Sequence, residues 1–285
     1  IAGAGLVGSL GAIYMAKRGH KVSVYERRTD MRQADLVAGR SINLALSTRG
    51  WTALKKVGIH EEVRRMAIPM PKRIMHAQDG TLSEQPYGQD GEAIYSVSRG
   101  GLNVLLMNLA EQEENIDLYF NHKLLSAELN TAQAIFEDEN GKEQIVNADV
   151  LIGADGTYST VRNHMMRQDR FQFSQHYIEH GYKELTIPAN LDGSHQIETN
   201  ALHIWPRGNY MLIALPNMDG SYTCTLFFPF EGEYSFESLK TNQQVADFFN
   251  EVFPDIVPLI PNLIEDFFNN PTAGKFVSDQ GLSKM

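Results

Sequence analysis

The chain has 285 residues, 42% apolar and 21% charged, and its 25 Lys and Arg against 35 Asp and Glu leave a net charge of −10. At about 150 residues per domain this length suggests two domains, and the composition is that of a globular protein, not a disordered or collagenous one. The acidic balance excludes a general binder of nucleic acid or anionic membrane, the single cysteine (Cys224) excludes an internal disulfide framework, and no apolar run reaches the roughly 18 residues of a spanning helix.

The chain opens on Ile1-Ala2-Gly3, a strand remnant that looks clipped before its first glycine. A helix is predicted over 6–18, closed by Gly19-His20, and 21–26 has the β-branched alternation of a strand. Residues 27–40 form a polar loop and 41–46 a short apolar stretch; 48–57 and 59–66 are short helices separated by Gly58. Segments 72–77 and 81–87 flank Asp79-Gly80, a hairpin signal. Over 101–114, Leu102, Leu105, Leu106 and Leu109 share one helical face. Short strands follow at 117–120, 124–129, 132–137 and 144–146, and the acidic run Glu137-Asp138-Glu139 beside them is a solvated loop in preference to an acid–base pair. Residues 148–154 are mostly apolar, as in a strand buried on both faces. A helix over 159–166 comes next. Beyond Phe171 the pattern turns to strands at 182–187, 201–205, 210–215 and 222–228, then a helix at 242–252. Cys224 and the pairs Phe248-Phe249 and Phe267-Phe268 are expected in the core, and 279–285 belong to no predicted element.

Gly3-Ala4-Gly5-Leu6-Val7-Gly8 fits G-x-G-x-x-G, where glycines permit a tight turn and close backbone approach, and the helix N-terminus attracts a pyrophosphate. Glu26 lies 18 residues after Gly8, at the end of the next strand, where a carboxylate accepts from ribose hydroxyls. Without that context the pattern is an ordinary strand–helix turn; with it, FAD or NAD is expected. Asp155 is predicted at the carboxyl end of the 148–154 strand, the usual place for ligands in such sheets. The plainer alternative is an Asp-Gly turn with Ser159 or Thr157 capping the next helix. The nine histidines show no H-x-H or H-E-x-x-H spacing, so no metal is expected.

The string Gly153-Ala154-Asp155-Gly156-Thr157-Tyr158-Ser159-Thr160-Val161-Arg162 resembles a motif of the FAD-dependent aromatic hydroxylase superfamily that serves both the flavin and the reduced nicotinamide. Gly39 to Ser47, Ile68-Pro69-Met70, Arg73-Ile74-Met75-His76, Pro86-Tyr87-Gly88, Ser174-Gln175-x-Tyr177, Leu202 to Arg207 and Ala214 to Asn217 are similar to its kynurenine-hydroxylating branch, from Gly3 to about Pro271. The resemblance implies an α/β fold: a Rossmann-type FAD-binding domain (1–170) with an antiparallel β-sheet substrate domain (171–270) and a truncated tail (271–285). The hairpin at about 68–92 is expected to join the later sheet. The activity implied is hydroxylation of L-kynurenine to 3-hydroxykynurenine in tryptophan degradation, with FAD, NADPH as cosubstrate and dioxygen.

By the same resemblance Arg73 and Tyr87 hold the kynurenine carboxylate, which suits a charged fork and a neutral phenol donor. Leu202, Met211, Ile213, Leu215 and Phe227 surround the substrate ring. Alternation independently places Met211, Ile213 and Leu215 on one strand face, which also suits a plain core. Gly3, Gly5, Val7, Gly8, Tyr25, Glu26, Arg27, Arg28, Ala45, Arg99, Leu124, Asp155, Gly156 and Thr160 are implied around FAD, and no residue is assigned as general base. The superfamily's third flavin motif, a Gly-Asp pair, has no match, since beyond Gly232 the glycines are Gly274 and Gly281, neither followed by Asp. The chain is therefore expected to be the N-terminal part of a longer protein. Two alternatives stay open: a flavin hydroxylase of another aromatic acid, and a non-catalytic flavin-binding module. One cysteine and no leader suggest the cytoplasm, or a membrane anchor if a later C-terminal helix supplies one.

Overall fold

The structure, a computed structural model, describes residues 1–33, 43–89, 91–169 and 171–272, and the backbone of 277–282. Parts of the predicted loop 27–40, the stretch 41–46 and the tail 271–285 lie outside these. The elements run α1 (Leu6–Ala16), β1 (Val22–Tyr25), β2 (Asn43–Leu46), α2 (Thr48–Lys56), α3 (His60–Arg64), β3 (Ile68–Met70), β4 (Lys72–His76), β5 (Leu82–Pro86), β6 (Ile94–Ser98) and α4 (Arg99–Glu111). There follow β7 (Ile116–Tyr119), β8 (Lys123–Glu128), β9 (Gln133–Glu137), β10 (Glu143–Asn147), α5 (Thr160–Met165), β11 (Gln172–Tyr177), β12 (His180–Ile187), β13 (Ala201–Arg207), β14 (Tyr210–Pro216) and β15 (Tyr222–Pro229). The last are α6 (Asn242–Val252), a 3₁₀ turn (Val257–Leu259), α7 (Leu263–Asn269) and β16 (Val277–Leu282). The chain divides into two compact units: Ile1–Leu36 with Gly100–His176 and Val277–Met285, and Val37–Arg99 with Tyr177–Phe276. The second unit thus takes more of the early chain than the hairpin 68–92.

In the first unit Ala2 bridges Tyr25 on one side and Gly153 on the other, both parallel, and β1 pairs in parallel with β7. Parallel neighbours need a crossover, and α1 supplies the first. Tyr25 fixes the core beside this sheet, its ring stacked 4.7 Å from Tyr119 and 4.1 Å from Phe136, which stands on the antiparallel sheet β10-β9-β8. The predicted doubly buried strand over 148–154 is not formed: only Gly153 makes a bridge, and Val150 is 69% exposed. An apolar run is not enough for a buried strand; it needs neighbours on both edges and cover on both faces, and among the described residues Ala2 is its one ladder partner. Strand β16 pairs with β11 where no element was expected over 279–285, because Ser, Asp, Gln and Gly carry little strand propensity and the pairing is backbone-defined.

In the second unit six strands lie in the order β12-β15-β14-β13-β4-β5. The hairpin β4/β5 joins the later strands through a parallel pairing of β4 with β13 that sets Leu202 beside Arg73. One face of this sheet is closed by α6 and α7: Trp205, Leu212, Tyr222, Leu226 and Phe228 pack with Phe248, Phe249 and Phe253. Each fully buried ring of this kind contributes about 1.5–3 kcal/mol. Cys224 lies in the same core, and burial pushes its thiol up, which suits a small apolar residue and not a nucleophile. Phe267 is buried but Phe268 is 42% exposed, correcting the core assignment of that pair. Neighbouring helical residues point about 100° apart, and in α7 this turns Phe267 into the core and Phe268 outward.

Helix α6 opens with a reciprocal cap: Thr241 Oγ1 accepts from the Gln244 N–H and the Gln244 side chain accepts from the Thr241 N–H. Thr241→Ala is expected to cost about 1 kcal/mol, read as a lowered urea midpoint. Helix α7 covers the free edge of β12: Asp266 accepts the Thr186 N–H at 3.1 Å, and Asn270 Nδ2 donates to the Glu184 carbonyl at 2.8 Å. A third sheet, β2-β6-β3, contains two strands the sequence hides. Pro69 breaks the pattern of β3, which tolerates it as an edge strand, and β6 carries apolar residues on both faces. No helix among the described residues is long and apolar enough to cross a membrane.

Candidate active site

Two glycines of the opening motif are dictated by space. Gly3 has φ +99° and a Cβ there would stand 2.4 Å from the Ala154 carbonyl oxygen; a Cβ on Gly8 would stand 1.8 Å from the Gly3 oxygen. Gly5 is different, since its Cβ position meets nothing within 4 Å. Gly5 is the N-cap of α1, and no side chain caps the first N–H groups of that helix. Val7 in the first turn is 75% exposed. This open, uncapped helix start fits a dinucleotide pyrophosphate.

At the end of β1 the Glu26 carboxylate is buried. Its Oε2 accepts the Ala4 N–H at 2.9 Å; its Oε1 accepts the Arg28 N–H at 3.0 Å and Arg28 Nε at 2.8 Å. Burial pushes this carboxyl up, but the hydrogen bonds from Arg28 and Ala4 outweigh it and hold it below its ordinary value. The carboxylate therefore stabilises the fold above the unfolded-state pKa, about 4.3, and that contribution is lost as pH falls through the lower folded value. Glu26→Gln is expected to destabilise the protein by about 1–2 kcal/mol at pH 7, because an amide turns N–H groups toward donors. The gap should narrow when urea midpoints are compared below pH 4. Arg27 is exposed, whereas Tyr25 and Leu124 are buried in the core with Ala134 and Phe136, so their side chains are occupied by protein contacts.

Asp155 lies where the second motif places it, but its carboxylate is engaged locally. Oδ1 accepts from Ser159 Oγ at 2.6 Å and Oδ2 accepts the Thr160 N–H at 2.7 Å, while Ser159 Oγ accepts the Arg162 N–H. The plainer reading of this motif is present: Ser159 caps α5, and Asp155 orders the turn in which exposed Gly156 lies. In the second unit, Ala45 is exposed on β2 opposite Ser96, and Arg99 opens α4.

The seven predicted substrate residues all lie on the face of the six-stranded sheet opposite α6. Register carries this: Arg73 pairs with Leu202, Ile204 with Ile213, Met211 with Phe227, and Tyr87 continues the side of Gln85, the partner of Arg73. Leu202 and Leu215 are buried with Met70, and Tyr87, Ile94, Ile204 and Ile213 pack on them. Met211 and Phe227 lie further along the same face, Met211 being 39% exposed. Met70, Ile94 and Ile204 were missed; only Ile204 had a signal, two residues from Leu202 on one strand. At the rim the Arg73 guanidinium lies over the Tyr87 ring, 4.9 Å from its centroid, and Arg73 Nε is buried without a hydrogen-bond partner. Burial raises the Tyr87 phenol pKa, against the pull of Arg73, so it stays a neutral donor. An unpaired cationic donor beside a neutral phenol, at the edge of an apolar wall, fits the carboxylate end of an aromatic acid.

The chain belongs to the family described as "FAD binding domain", whose model matches residues 1–220. Its curated relatives include the kynurenine 3-monooxygenases of Christiangramia forsetii, 51% identical over 274 residues, and of Sus scrofa, 46% identical over 273. Those alignments cover 96% and 95% of this chain but 61% and 57% of the relatives, so the chain spans about three-fifths of their length. Among solved structures, the tetrameric form of 2-methyl-3-hydroxypyridine-5-carboxylic acid oxygenase superposes with a TM-score of 0.77 at 18% identity, over 99% of this chain and 70% of that one. The fold is the one expected, a FAD-binding α/β domain with an antiparallel substrate sheet.

Proposed function

We propose that the chain carries the flavin- and substrate-binding parts of a monooxygenase that converts L-kynurenine to 3-hydroxykynurenine with NADPH and dioxygen. The observation that carries this is the Arg73–Tyr87 pair at the rim of the apolar sheet face, with its buried, unpartnered Nε. FAD, when bound, supplies the redox and oxygen chemistry that no side chain here can. In the first unit Gly3, Gly5 and Gly8 shape the turn at the helix start for the pyrophosphate, Glu26 takes the ribose hydroxyls, and Arg28 keeps Glu26 ionised. Asp155, Gly156 and Thr160 form a second turn of the same unit that is assigned to the cofactor.

On the substrate side Arg73 binds the carboxylate and Tyr87 donates to it. Leu202, Ile213 and Leu215, with Met211 and Phe227, present an apolar wall to the aromatic ring and keep water from it. No side chain acts as general base, because the ring amine already donates electrons to the carbon that is hydroxylated. The relatives' name agrees with the carboxylate clamp, and the two-unit division agrees with a flavin domain interrupted by substrate-sheet strands.

The test is to supply the complete gene product with FAD, NADPH and L-kynurenine and to assay 3-hydroxykynurenine. Stimulation of NADPH oxidation by another aromatic acid and not by kynurenine would favour a different hydroxylase. Flavin binding without turnover on any aromatic acid would favour a non-catalytic module.

A further inference from the structure

On the reverse of the substrate face, two buried imidazoles stand in line. His76 Nδ1 lies 3.2 Å from Asp255 Oδ2, His76 Nε2 lies 2.9 Å from His203 Nδ1, and His203 Nε2 lies 2.8 Å from the Glu198 carbonyl oxygen. Trp205 Nε1 donates to the same Asp255 oxygen at 2.7 Å, and its indole stacks on His76 with centroids 3.9 Å apart. Arg207 donates to the His76 carbonyl at 2.9 Å. His76 belongs to β4, three residues after Arg73; His203 belongs to β13, next to Leu202.

The proton count in this line does not close. Its two ends, an ionised carboxylate and a backbone carbonyl, can only accept. Two neutral imidazoles bring one N–H each, so two protons serve three contacts and the third contact sets lone pair against lone pair. One added proton closes all three and balances the charge of Asp255. The charged groups facing the line are Asp255, Arg207, Lys72 and Glu198. Burial is the largest influence and lowers both imidazoles, His203 to about 4, while Asp255 pulls His76 back up. The added proton thus sits at the Asp255 end.

We infer that His76, His203 and Asp255 are positioning residues that bind a third proton in common, and that this proton draws β4 against β13 and so sets Arg73 relative to Leu202. The inference rests on the carboxylate-clamp reading above. The apolar face needs no such line for its stability, since packed side chains of the same size would bury as well. What the line adds is a fixed spacing between two adjacent parallel strands whose opposite sides carry the two ends of the proposed site.

The test combines ¹⁵N spectra of the histidine-labelled protein with the kynurenine KM of the FAD-loaded complete gene product, both across pH values of about 5 to 8, the range in which imidazoles exchange protons. His76 and His203 are expected to titrate in one shared step, three ring nitrogens protonated below it and two above. KM should rise about fivefold across that step, the worth of one hydrogen bond, with kcat little changed. In Asp255→Asn the atom facing both His76 Nδ1 and Trp205 Nε1 must stay an oxygen to accept from the indole, so three contacts still need three protons but the added proton loses the carboxylate charge that balances it. Its KM should be flat over this range and close to the alkaline-side value of the wild type. Two ring protons throughout, or a wild-type KM that ignores the step, would overturn the inference. Arg73→Ala keeps the readings separate: if it raises KM while the wild-type KM is flat, only the proton line fails, and if it leaves KM unchanged, the clamp itself fails.

Discussion

Replacing Arg73 by alanine in the complete gene product raises the KM for L-kynurenine on the order of 100-fold, with FAD affinity changed by less than about twofold. A charge-assisted hydrogen bond to a carboxylate contributes about 1.5–3 kcal/mol, and roughly 1.4 kcal/mol is a factor of ten. Truncation removes the guanidinium whose Nε has no other partner and leaves the substrate carboxylate beside Tyr87 alone. The apolar wall is untouched, because Leu202, Leu215 and Met70 keep their mutual packing. Arg73→Lys should recover only part of the loss, since an ammonium cannot offer a planar fork. Steady-state kinetics against kynurenine, beside a flavin fluorescence titration, gives both numbers. An unchanged KM in Arg73→Ala would remove the clamp from the proposal.

The second large effect is expected from Gly8→Ala. The new Cβ would fall 1.8 Å from the carbonyl oxygen of Gly3, and that atom cannot swing away as a side chain would. Either α1 lifts from the turn or the turn opens, and overpacking of this kind costs about 1–3 kcal/mol or more. The same shift displaces the uncapped helix start proposed for the pyrophosphate, so the variant should purify without flavin and melt several degrees lower. Gly11→Ala is the control. It lies in the same helix with nothing within 4 Å of its Cβ position, and it should keep its flavin and gain up to about 1 kcal/mol. Flavin retention and an unaltered melting temperature in Gly8→Ala would refute the close-packing account.

The parts of this fold that were legible in the sequence are those where one residue type has one physical use. Gly3 and Gly8 are forced by contacts with backbone, and a carboxylate at Glu26 has a fixed relation to them along the chain. Helix α6 shows Thr241 and Gln244 before an apolar face, and strand β12 alternates because one side meets the phenylalanine core. What stayed hidden needed partners distant in sequence. The run 148–154 is as apolar as a buried strand, yet its neighbours decide, and among the described residues only Ala2 pairs with it. Strand β3 carries a proline that an edge permits, and β16 exists through its pairing alone. At the candidate site the residue types Arg73 and Tyr87 said little by themselves. Their meaning comes from the β4–β13 register, which places them on one face with Leu202 and Leu215. The imidazole line was invisible for the same reason: His76 and His203 are 127 positions apart and meet only across two strands.

The two ends of the six-stranded sheet are finished differently, and this bears on how the protein behaves at high concentration. At β12 the exposed ladder is already taken, Asp266 and Asn270 of α7 holding the Thr186 N–H and the Glu184 carbonyl. At the far end β5 is exposed along its whole length, but it ends at Pro86, which has no N–H, and it carries Glu84, paired with Lys72 at 2.7 Å. Charge and proline on an open strand, and a helix across the other, both discourage a second chain from extending the sheet. A protein whose proposed substrate wall lies on that very sheet needs such protection, because stacking of copies edge to edge would otherwise begin fibrillar aggregation before any ligand arrives.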